Sequence, residues 1–345
     1  MRLTLRAPDD FHVHLRDGAE MAAVVPDTAL RFARALVMPN LQPPIATTAQ
    51  ALAYRERIRA AVPRGTRFEP LMTLYLTAAT TQEEVQRASA SGLIHAVKYY
   101  PAGATTHSEH GVTDLGAVYP VLAALETTGI PLAVHGEVVD PEVDVFDRER
   151  VFIERVLIDL LERFPGLKIV LEHITTREAV DFVFAGPERL AATITAHHLL
   201  MNRNALFDGG LRPHRYCLPL LKREEDRQAL VRAAESGNPR FFLGTDSAPH
   251  ARGAKETSCG CAGIYTAHAA MELYAEVFEE AGALPRLEGF ASTFGAAFYD
   301  LPPNPGTITL ARIPWRVPAS LPFGDGVLIP FRAGAACRWG LVHER

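Results

Sequence analysis

Several features that define other protein classes are missing from this sequence. No run of about 18 apolar residues, the length that spans a bilayer, occurs in the 345 residues. The charged amino-terminal stretch MRLTLRAPDD lacks the apolar core of a signal peptide. The cysteines, which are too few and too irregularly spaced for a disulfide framework, are Cys217, Cys259, Cys261 and Cys337. These absences exclude the membrane-spanning and disulfide-rich classes and favour a cytoplasmic protein with free thiols.

An excess of charge of one sign is missing as well. Lysine and arginine number 35 against 40 acidic residues, the net charge is -5, and both signs are interspersed. Without a basic field the chain is not expected to bind nucleic acid or an anionic membrane, which favours a small-molecule partner. With 48% hydrophobic and 22% charged residues, the composition is that of a globular protein long enough for one large barrel or two smaller domains.

What the chain does contain is a regular alternation of short apolar runs and longer amphipathic stretches. The runs are rich in Val, Ile, Leu and Phe without strict polar alternation, which is typical of parallel strands buried on both faces. The predicted strands are 11–15, 35–39, 68–76, 94–99, 130–135, 168–174, 191–197 and 240–245. Eight alternations favour a (β/α)8 TIM barrel, although a doubly wound open sheet stays possible from the pattern alone.

Helices are predicted between these strands, for example over 47–61 and 148–164. Capping-box spacing marks several helix starts, in the pairs Thr47 with Gln50, Thr80 with Glu83, and Thr175 with Glu178. Beyond residue 265 come helical patterns over 266–281 and 287–294 and a Pro-rich, strand-like tail from Gly306. We therefore expect one barrel domain over 1–345, with barrel strands over about 11–246 and a C-terminal extension over about 265–345 that packs on the barrel or caps it.

Residues able to bind metal stand at the ends of these strands, where a TIM barrel has its active site. In the segment FHVHLRD, His12 and His14 are two apart in an extended run, so both point the same way and can chelate one ion. The pair alone is also compatible with two ordinary polar residues at a strand end.

The same position recurs along the chain. Polar residues that end later strands are Lys98, His135, His173 and, within the segment GTDSAPH, Asp246 and His250. A lone histidine in such a place is more often structural, but recurrence on successive strands is not expected by chance. Four imidazoles and a carboxylate that converge on one face suit borderline ions such as zinc.

Lys98 needs a separate argument, because an ammonium group beside dications would be repelled in a poorly solvated site. Either this lysine lies outside the site, with its amine extended to solvent, or it is not cationic.

Together these segments resemble the amidohydrolase superfamily. Further segments are similar to the single-domain bacterial dihydroorotases: MPN (38–40), KYYP (98–101), ATT (104–106), NRN (202–204), RPH (212–214) and KETSCGCAG (255–263). The similarity extends from about Phe11 to Gly263. It implies a hydrolase that interconverts N-carbamoyl-L-aspartate and L-dihydroorotate in pyrimidine biosynthesis and forms a homodimer.

The resemblance also implies a role for each site residue. Lys98 would be a carbamate (N6-carboxylysine) that bridges two Zn²⁺ ions together with a hydroxide. One ion would be completed by His12, His14 and Asp246 and the other by His135 and His173. Such a pair, about 3.5 to 4 Å apart, activates water and polarises a carbonyl. Asp246 would also move the proton in catalysis.

Substrate contacts follow from the same resemblance. Arg16, Asn40 and His250 would bind the substrate carboxylate, and the backbone of Leu218 and Ala262 would contact the ring amides. A guanidinium fork suits a planar carboxylate. The segment from Gly103 to Gly111, with Thr105 and Thr106, is expected to be a mobile loop that closes over substrate.

Alternatives remain at this stage. A hydantoinase or allantoinase would share the metal residues but should lack the combined carboxylate-binding set, and a catalytically silent barrel that serves as an assembly partner should lack metal ligands. His107 and His110 are expected to be solvated loop residues. Because His197 and His198 are adjacent in a predicted strand, at most one is expected to point inward. The pair Cys259 and Cys261 is interpreted as a loop element.

Overall fold

Eight parallel strands form a closed barrel in the computed structural model, which describes residues 1–342. The barrel strands, neighbours in chain order, are β2 (Asp9–Val13), β3 (Arg34–Val37), β4 (Glu69–Tyr75), β5 (Ile94–Tyr99), β6 (Leu132–His135), β7 (Ile169–Glu172), β8 (Leu190–Ile194) and β9 (Phe241–Leu243). The last strand meets the first through hydrogen bonds from Asp246 N to His12 O (2.8 Å) and from His14 N to Ser247 O (3.1 Å). The predicted TIM barrel is confirmed, and each predicted strand overlaps an observed one.

Helices connect the strands and continue beyond the barrel. They are α1 (Gly18–Arg31), α2 (Thr48–Ala61), α3 (Gln82–Ser91), α4 (Tyr119–Thr128), α5 (Arg148–Phe152), α6 (Ile158–Arg163), α7 (Arg177–Ala185), α8 (Ala196–Leu200), α9 (Glu224–Glu235), α10 (Arg252–Lys255), α11 (Ala270–Glu280) and α12 (Phe294–Phe298). A π-helical stretch, Ile153–Leu157, joins α5 to α6, and a second one, Gly289–Thr293, directly precedes α12. Within residues 1–342, no helix combines the length and apolar character needed to cross a bilayer.

Threonine caps start several helices, but two of the three predicted boxes are wrong by one residue. Thr47 and Gln50 form the predicted capping box of α2. The caps of α3 and α7 are instead Thr81 and Thr176. The hydroxyls of the predicted caps have other partners, since that of Thr80 accepts from Thr77 N at 3.0 Å and that of Thr175 donates to Glu149 at 3.0 Å.

The histidine pair after β8 also differs from the prediction. The strand ends at Ile194, and Thr195 caps the short helix α8, which contains His197 and His198. Both side chains are buried. Consecutive residues of a helix lie about 100° apart around its axis, so neighbouring elements can cover both of them. The strand predicted for these two residues was therefore wrong, and neither of them lines the pocket that contains His12 and Asp246.

Apolar side chains fill the barrel interior below the strand ends. Phe11 stacks on Tyr299 with ring centroids 4.9 Å apart and meets Phe242 edge-on at 5.3 Å. Gly295 of α12 approaches this cluster so closely that a Cβ there would lie 2.3 Å from Phe11 Cε2. Helix α12 thus closes one end of the barrel, which leaves the carboxyl end of the strands as the place for a cavity.

A small sheet joins the two ends of the chain. Strand β1 (Arg2–Arg6), which the sequence did not predict, pairs antiparallel with β10 (Thr307–Ala311), and β10 pairs with β15 (Gly340–Leu341). The tail also contains β11 (Trp315–Arg316), β12 (Leu321–Phe323), β13 (Gly326–Leu328) and β14 (Ala336–Cys337). Its buried apolar residues belong to the same core as the barrel helices, so the predicted extension packs on the barrel.

Candidate active site

A polar cavity opens at the carboxyl ends of the barrel strands. It is lined by His12, His14, Arg16, Asn40, Tyr100, Thr105, Thr106, His135, His173, Leu218, Asp246, Ala248, His250, Ala262 and Gly263. Every residue predicted for the site lies in this lining except Lys98, which is fully buried. The structure therefore brings together side chains that are up to about 250 positions apart in the sequence.

Asp246 lies between the two histidines of the first barrel strand. Its Oδ1 is 3.0 Å from His14 Nε2 and 3.4 Å from His12 Nε2. A Cβ on the nearby Gly244 would lie 2.8 Å from Thr193 Cβ and 3.1 Å from His12 Cβ, so glycine lets the chain after β9 pass close to both β8 and β2. Although burial opposes it, the adjacent histidines hold the pKa of Asp246 well below its usual range. This aspartate is therefore a carboxylate at neutral pH.

Two further imidazoles extend the cluster. The ring of His173 lies 4.9 Å from that of His12 and 4.9 Å from that of His135, measured between centroids. One ligand atom each of His12, His173 and Asp246 lie within 4.8 Å of one another. His173 and Asp246 both have a φ of 43°, a left-handed conformation that non-glycine residues rarely adopt and that is common at functional sites.

Lys98 lies fully buried and without a hydrogen-bond partner for its Nζ. This atom is 5.1 Å from the centroid of the Tyr100 ring. Burial lowers the pKa of Lys98 to about 8, so a larger fraction of the amine is neutral and nucleophilic than for an exposed lysine. An unpaired buried amine among histidines fits a carbamate, whose oxygens would face the same metal-competent groups.

Two buried carboxylates that the sequence analysis did not single out contact these histidines. Glu172 Oε2 is 2.7 Å from His12 Nδ1 and accepts from Thr193 Oγ1 at 2.8 Å. Glu137 Oε2 is 2.8 Å from His135 Nε2. Carboxylates in this position orient imidazoles that bind metal and make them more basic. The segments LEH and HGE, which place a glutamate one and two residues from a strand-end histidine, were the available signal.

A second group forms the wall of the cavity above the histidines. Arg16 is buried, and its Nε donates to Pro249 O at 2.8 Å while its Nη2 lies 3.0 Å from His250 Nε2. Burial, followed by the charge of Arg16, lowers the pKa of His250 to about 2, so this imidazole is neutral. Asn40 Oδ1 lies 2.8 Å from His14 Nδ1, which joins this wall to the histidine cluster. The wall therefore carries one positive charge and several donors.

The segment from Gly103 to Gly111 packs over the cavity. Thr106 Oγ1 accepts from Ala262 N at 3.1 Å, and Thr106 O accepts from Asn40 Nδ2 at 3.3 Å. Ser108 is buried, and its hydroxyl accepts from Thr105 N at 2.9 Å and donates to Thr105 O at 2.6 Å, so these hydrogen bonds lie within the loop. In this structure the loop covers the site.

Most of the residues that were expected to be ordinary loop residues or free thiols are so in the structure. His110 and Cys259 are exposed loop residues, and all the cysteines are free, as predicted. His107 is the exception, because it is half-buried and lines a groove that also contains Arg16 and Asn40. The expectation of a solvated His107 was therefore wrong, since the loop packs inward.

A parallel eight-stranded barrel with imidazoles, a lysine and an aspartate at its strand ends defines the class: a hydrolase barrel of the amidohydrolase type with candidate metal-binding groups.

No protein-family model matches the chain. A protein from Methylobacillus flagellatus named dihydroorotase is 65% identical over 339 residues, which cover 98% of each chain. Among solved structures, dihydroorotase from Campylobacter jejuni has a TM-score of 0.91 and 35% identity, covering 99% of this chain and 98% of that one. Dihydroorotase from Saccharomyces cerevisiae, in complex with 5-fluoroorotic acid, has a TM-score of 0.90 and 36% identity, with coverage of 99% and 98%.

The chain belongs to the dihydroorotase family. The prediction of a dihydroorotase, a hydrolase that acts on cyclic amides, is confirmed over the hydantoinase-type and silent-barrel alternatives.

Proposed function

We propose that this enzyme catalyses the reversible cyclisation of N-carbamoyl-L-aspartate to L-dihydroorotate with loss of water, through two metal ions. The observation that carries the proposal is that one enclosed cavity joins a cluster of buried metal-competent side chains to a wall with a single guanidinium charge. L-dihydroorotate has a ring amide that must be opened, and N-carbamoyl-L-aspartate has a carbamoyl nitrogen and a side-chain carboxyl group that must be joined. Both molecules also have a carboxylate that must be held in place. A relative bound to 5-fluoroorotic acid, a pyrimidine carboxylate, supports the same pairing of functions.

The histidine cluster fits two zinc ions. His12, His14 and Asp246 would hold one ion, His135 and His173 would hold the other, and Lys98 as a carbamate would bridge them. Borderline nitrogen and oxygen ligands of this kind suit zinc, and the unpaired buried amine of Lys98 is accounted for by the carbamate. When bound, the two ions would polarise the amide carbonyl and lower the pKa of water.

The wall above the histidine cluster would orient the substrate. Arg16 would form a charge-assisted contact with the substrate carboxylate, with Asn40 and His250 as further donors. Because His250 stays neutral, the wall presents one positive charge to one negative group. The backbone groups of Leu218 and Ala262 would contact the ring amides, after Thr106 gives up its present hydrogen bond to the Ala262 amide.

Asp246 would carry the proton. In the hydrolytic direction its carboxylate takes the proton from the attacking water and passes it to the leaving ring nitrogen, which opens the ring. In the cyclising direction it accepts the proton from the carbamoyl nitrogen as that nitrogen attacks the side-chain carboxyl group, and it passes this proton to the departing hydroxyl group, which leaves as water. Closure of the loop that contains Thr105 and Thr106 would exclude bulk water during either step.

A parallel assay tests the proposal. Purified enzyme should open L-dihydroorotate and close N-carbamoyl-L-aspartate but should leave hydantoin and allantoin intact. Asp246→Asn should keep a native circular dichroism spectrum and lose turnover by about 10³-fold or more, in line with general acid–base contributions. Turnover of hydantoin without turnover of dihydroorotate, or near-normal activity of the variant, would contradict the proposal.

Two further expectations from the sequence stay predictions. A homodimer is tested by light scattering coupled to size-exclusion chromatography, and a cytoplasmic location by fractionation of cells.

A further inference from the structure

A second cluster of possible metal ligands lies outside the cavity. His197 and His198 on α8 and Cys217 on the following loop are all buried, and one ligand atom of each lies within 4.8 Å of the others. None of the three lines the candidate active site, although Cys217 directly precedes Leu218, which does. We propose that these three residues bind a thiophilic d¹⁰ cation, Zn²⁺ or Cu⁺.

The hydrogen bonding of His197, unlike that of His198, leaves its ring nitrogens available to a ligand. Both ring nitrogens of the buried His197 lack a partner among the described residues. Buried polar atoms in native proteins are almost always paired, so this imidazole is suited to hold an ion. His198 is already oriented, because its Nδ1 lies 2.7 Å from Thr195 Oγ1. Thr195 would thus position a metal-bound His198 as an outer partner.

The distances are close to those of a coordination site. Ligand atoms around a tetrahedral zinc are separated by about 3.3 to 3.6 Å, given the usual zinc–nitrogen and zinc–sulfur bond lengths. Cys217 Sγ is 3.7 Å from His198 Nε2. The carbonyl oxygen of Pro219 lies 3.0 Å from that nitrogen and accepts a hydrogen bond from the thiol at 3.4 Å, so a cation would have to replace both of these hydrogen bonds. The ligand atom of His197 lies within 4.8 Å of the other two, so a change in its side-chain torsion angles must bring it to coordination distance.

The two imidazoles are in the protonation state that binds a cation, whereas the thiol must first lose its proton. Burial lowers the pKa of His197 to about 4 and that of His198 well below its usual range, so both are neutral ligands at physiological pH. Burial raises the pKa of the Cys217 thiol to about 12, so binding must displace its proton and should strengthen as pH rises. The resulting set of two imidazoles and one thiolate suits soft and borderline ions.

Cobalt(II) substitution tests the site without relying on catalysis. A thiolate bound to Co²⁺ gives a sulfur-to-metal charge-transfer band in the near ultraviolet, and none of the ligands proposed for the active site contains sulfur. We expect the full-length protein to show this band after addition of Co²⁺, and Asp246→Asn to keep it. Cys217→Ser should abolish the band, whereas Cys337→Ser, the matched change at another buried cysteine, should keep it. His197→Gln, which removes no hydrogen bond, should weaken Co²⁺ binding by about tenfold or more.

Competition then assigns the ion. Loss of the band on addition of Zn²⁺ indicates the divalent ion, and loss only with Cu⁺ under reducing conditions indicates the monovalent one. The proposal is overturned if the parent protein shows no band, if neither ion displaces Co²⁺, or if the band survives in Cys217→Ser. Should Cys217→Ser not fold, an unchanged Co²⁺ affinity of His197→Gln is sufficient to reject it.

Discussion

Glu172 provides the sharpest test of how the histidine cluster is held in place. The substitution Glu172→Gln keeps the shape of the side chain but removes its charge. In the structure Glu172 Oε2 lies 2.7 Å from His12 Nδ1, and the two side chains are at most 1% exposed. A hydrogen bond to a charged group is worth about 1.5 to 3 kcal/mol, which corresponds to about 10- to 150-fold in a binding constant. We expect zinc affinity at the His12 site to fall by about 10- to 100-fold, the range found when outer partners of metal ligands are removed.

The assay is competition for Zn²⁺ with a chromophoric chelator, together with turnover at saturating zinc. Glu84→Gln is the matched control, because Glu84 is also a buried carboxylate and its partners are Thr48 and Arg87, away from the cavity. The control should bind zinc as the parent does. If Glu172→Gln binds zinc as tightly as the parent does, Glu172 does not position a metal ligand and the reasoning fails.

Three further changes probe packing, protonation and the loop. Gly295→Ala should lower the free energy of unfolding by about 1 to 3 kcal/mol in denaturant titrations, because its Cβ would lie 2.3 Å from the Phe11 ring; Gly253→Ala, with no atom within 4 Å, should cost much less. Burial lowers the pKa of His268 to about 3, so between that value and about 6.5 the unfolded chain binds a proton that the folded chain does not, and stability falls as pH falls. His268→Phe should reduce this slope by about 1.4 kcal/mol per pH unit between pH 4.5 and 6, and an unchanged slope would refute the assignment. Thr106→Val removes a 3.1 Å hydrogen bond across the cavity and should speed hydrogen exchange in the substrate-free loop by about 2- to 10-fold, whereas unaltered exchange would speak against loop closure through this residue.

The sequence predicted the barrel and the convergence of the site because both depend on local patterns. Apolar runs with polar ends identify the strands, and parallel strands deliver their ends to one face. His12, His135 and Asp246 could therefore be placed together without knowledge of distances, whereas Lys98 was assigned to the site only through the resemblance. The roles of Arg16, Asn40 and His250 came from the resemblance, since the local sequence pattern does not indicate which loops approach one another.

Features that depend on contacts between distant segments were not predictable in this way. Strand β1 is stabilised by pairing with residues 307–311, a partner that the pattern RLTLR does not reveal. The strand predicted over 191–197 includes the start of helix α8. A five-residue helix is too short to show the hydrophobic periodicity by which helices are predicted. The choice of Thr81 over Thr80 as a cap depends on a competing bond to Thr77.

Anomalous diffraction from crystals of the purified enzyme, recorded at the zinc absorption edge, tests the central claim most directly. The account predicts two peaks in the cavity among His12, His14, His135, His173 and Asp246, with extra density continuous with Lys98 Nζ. A cavity with no peak, or a bare amine at Lys98 beside the ions, would contradict it.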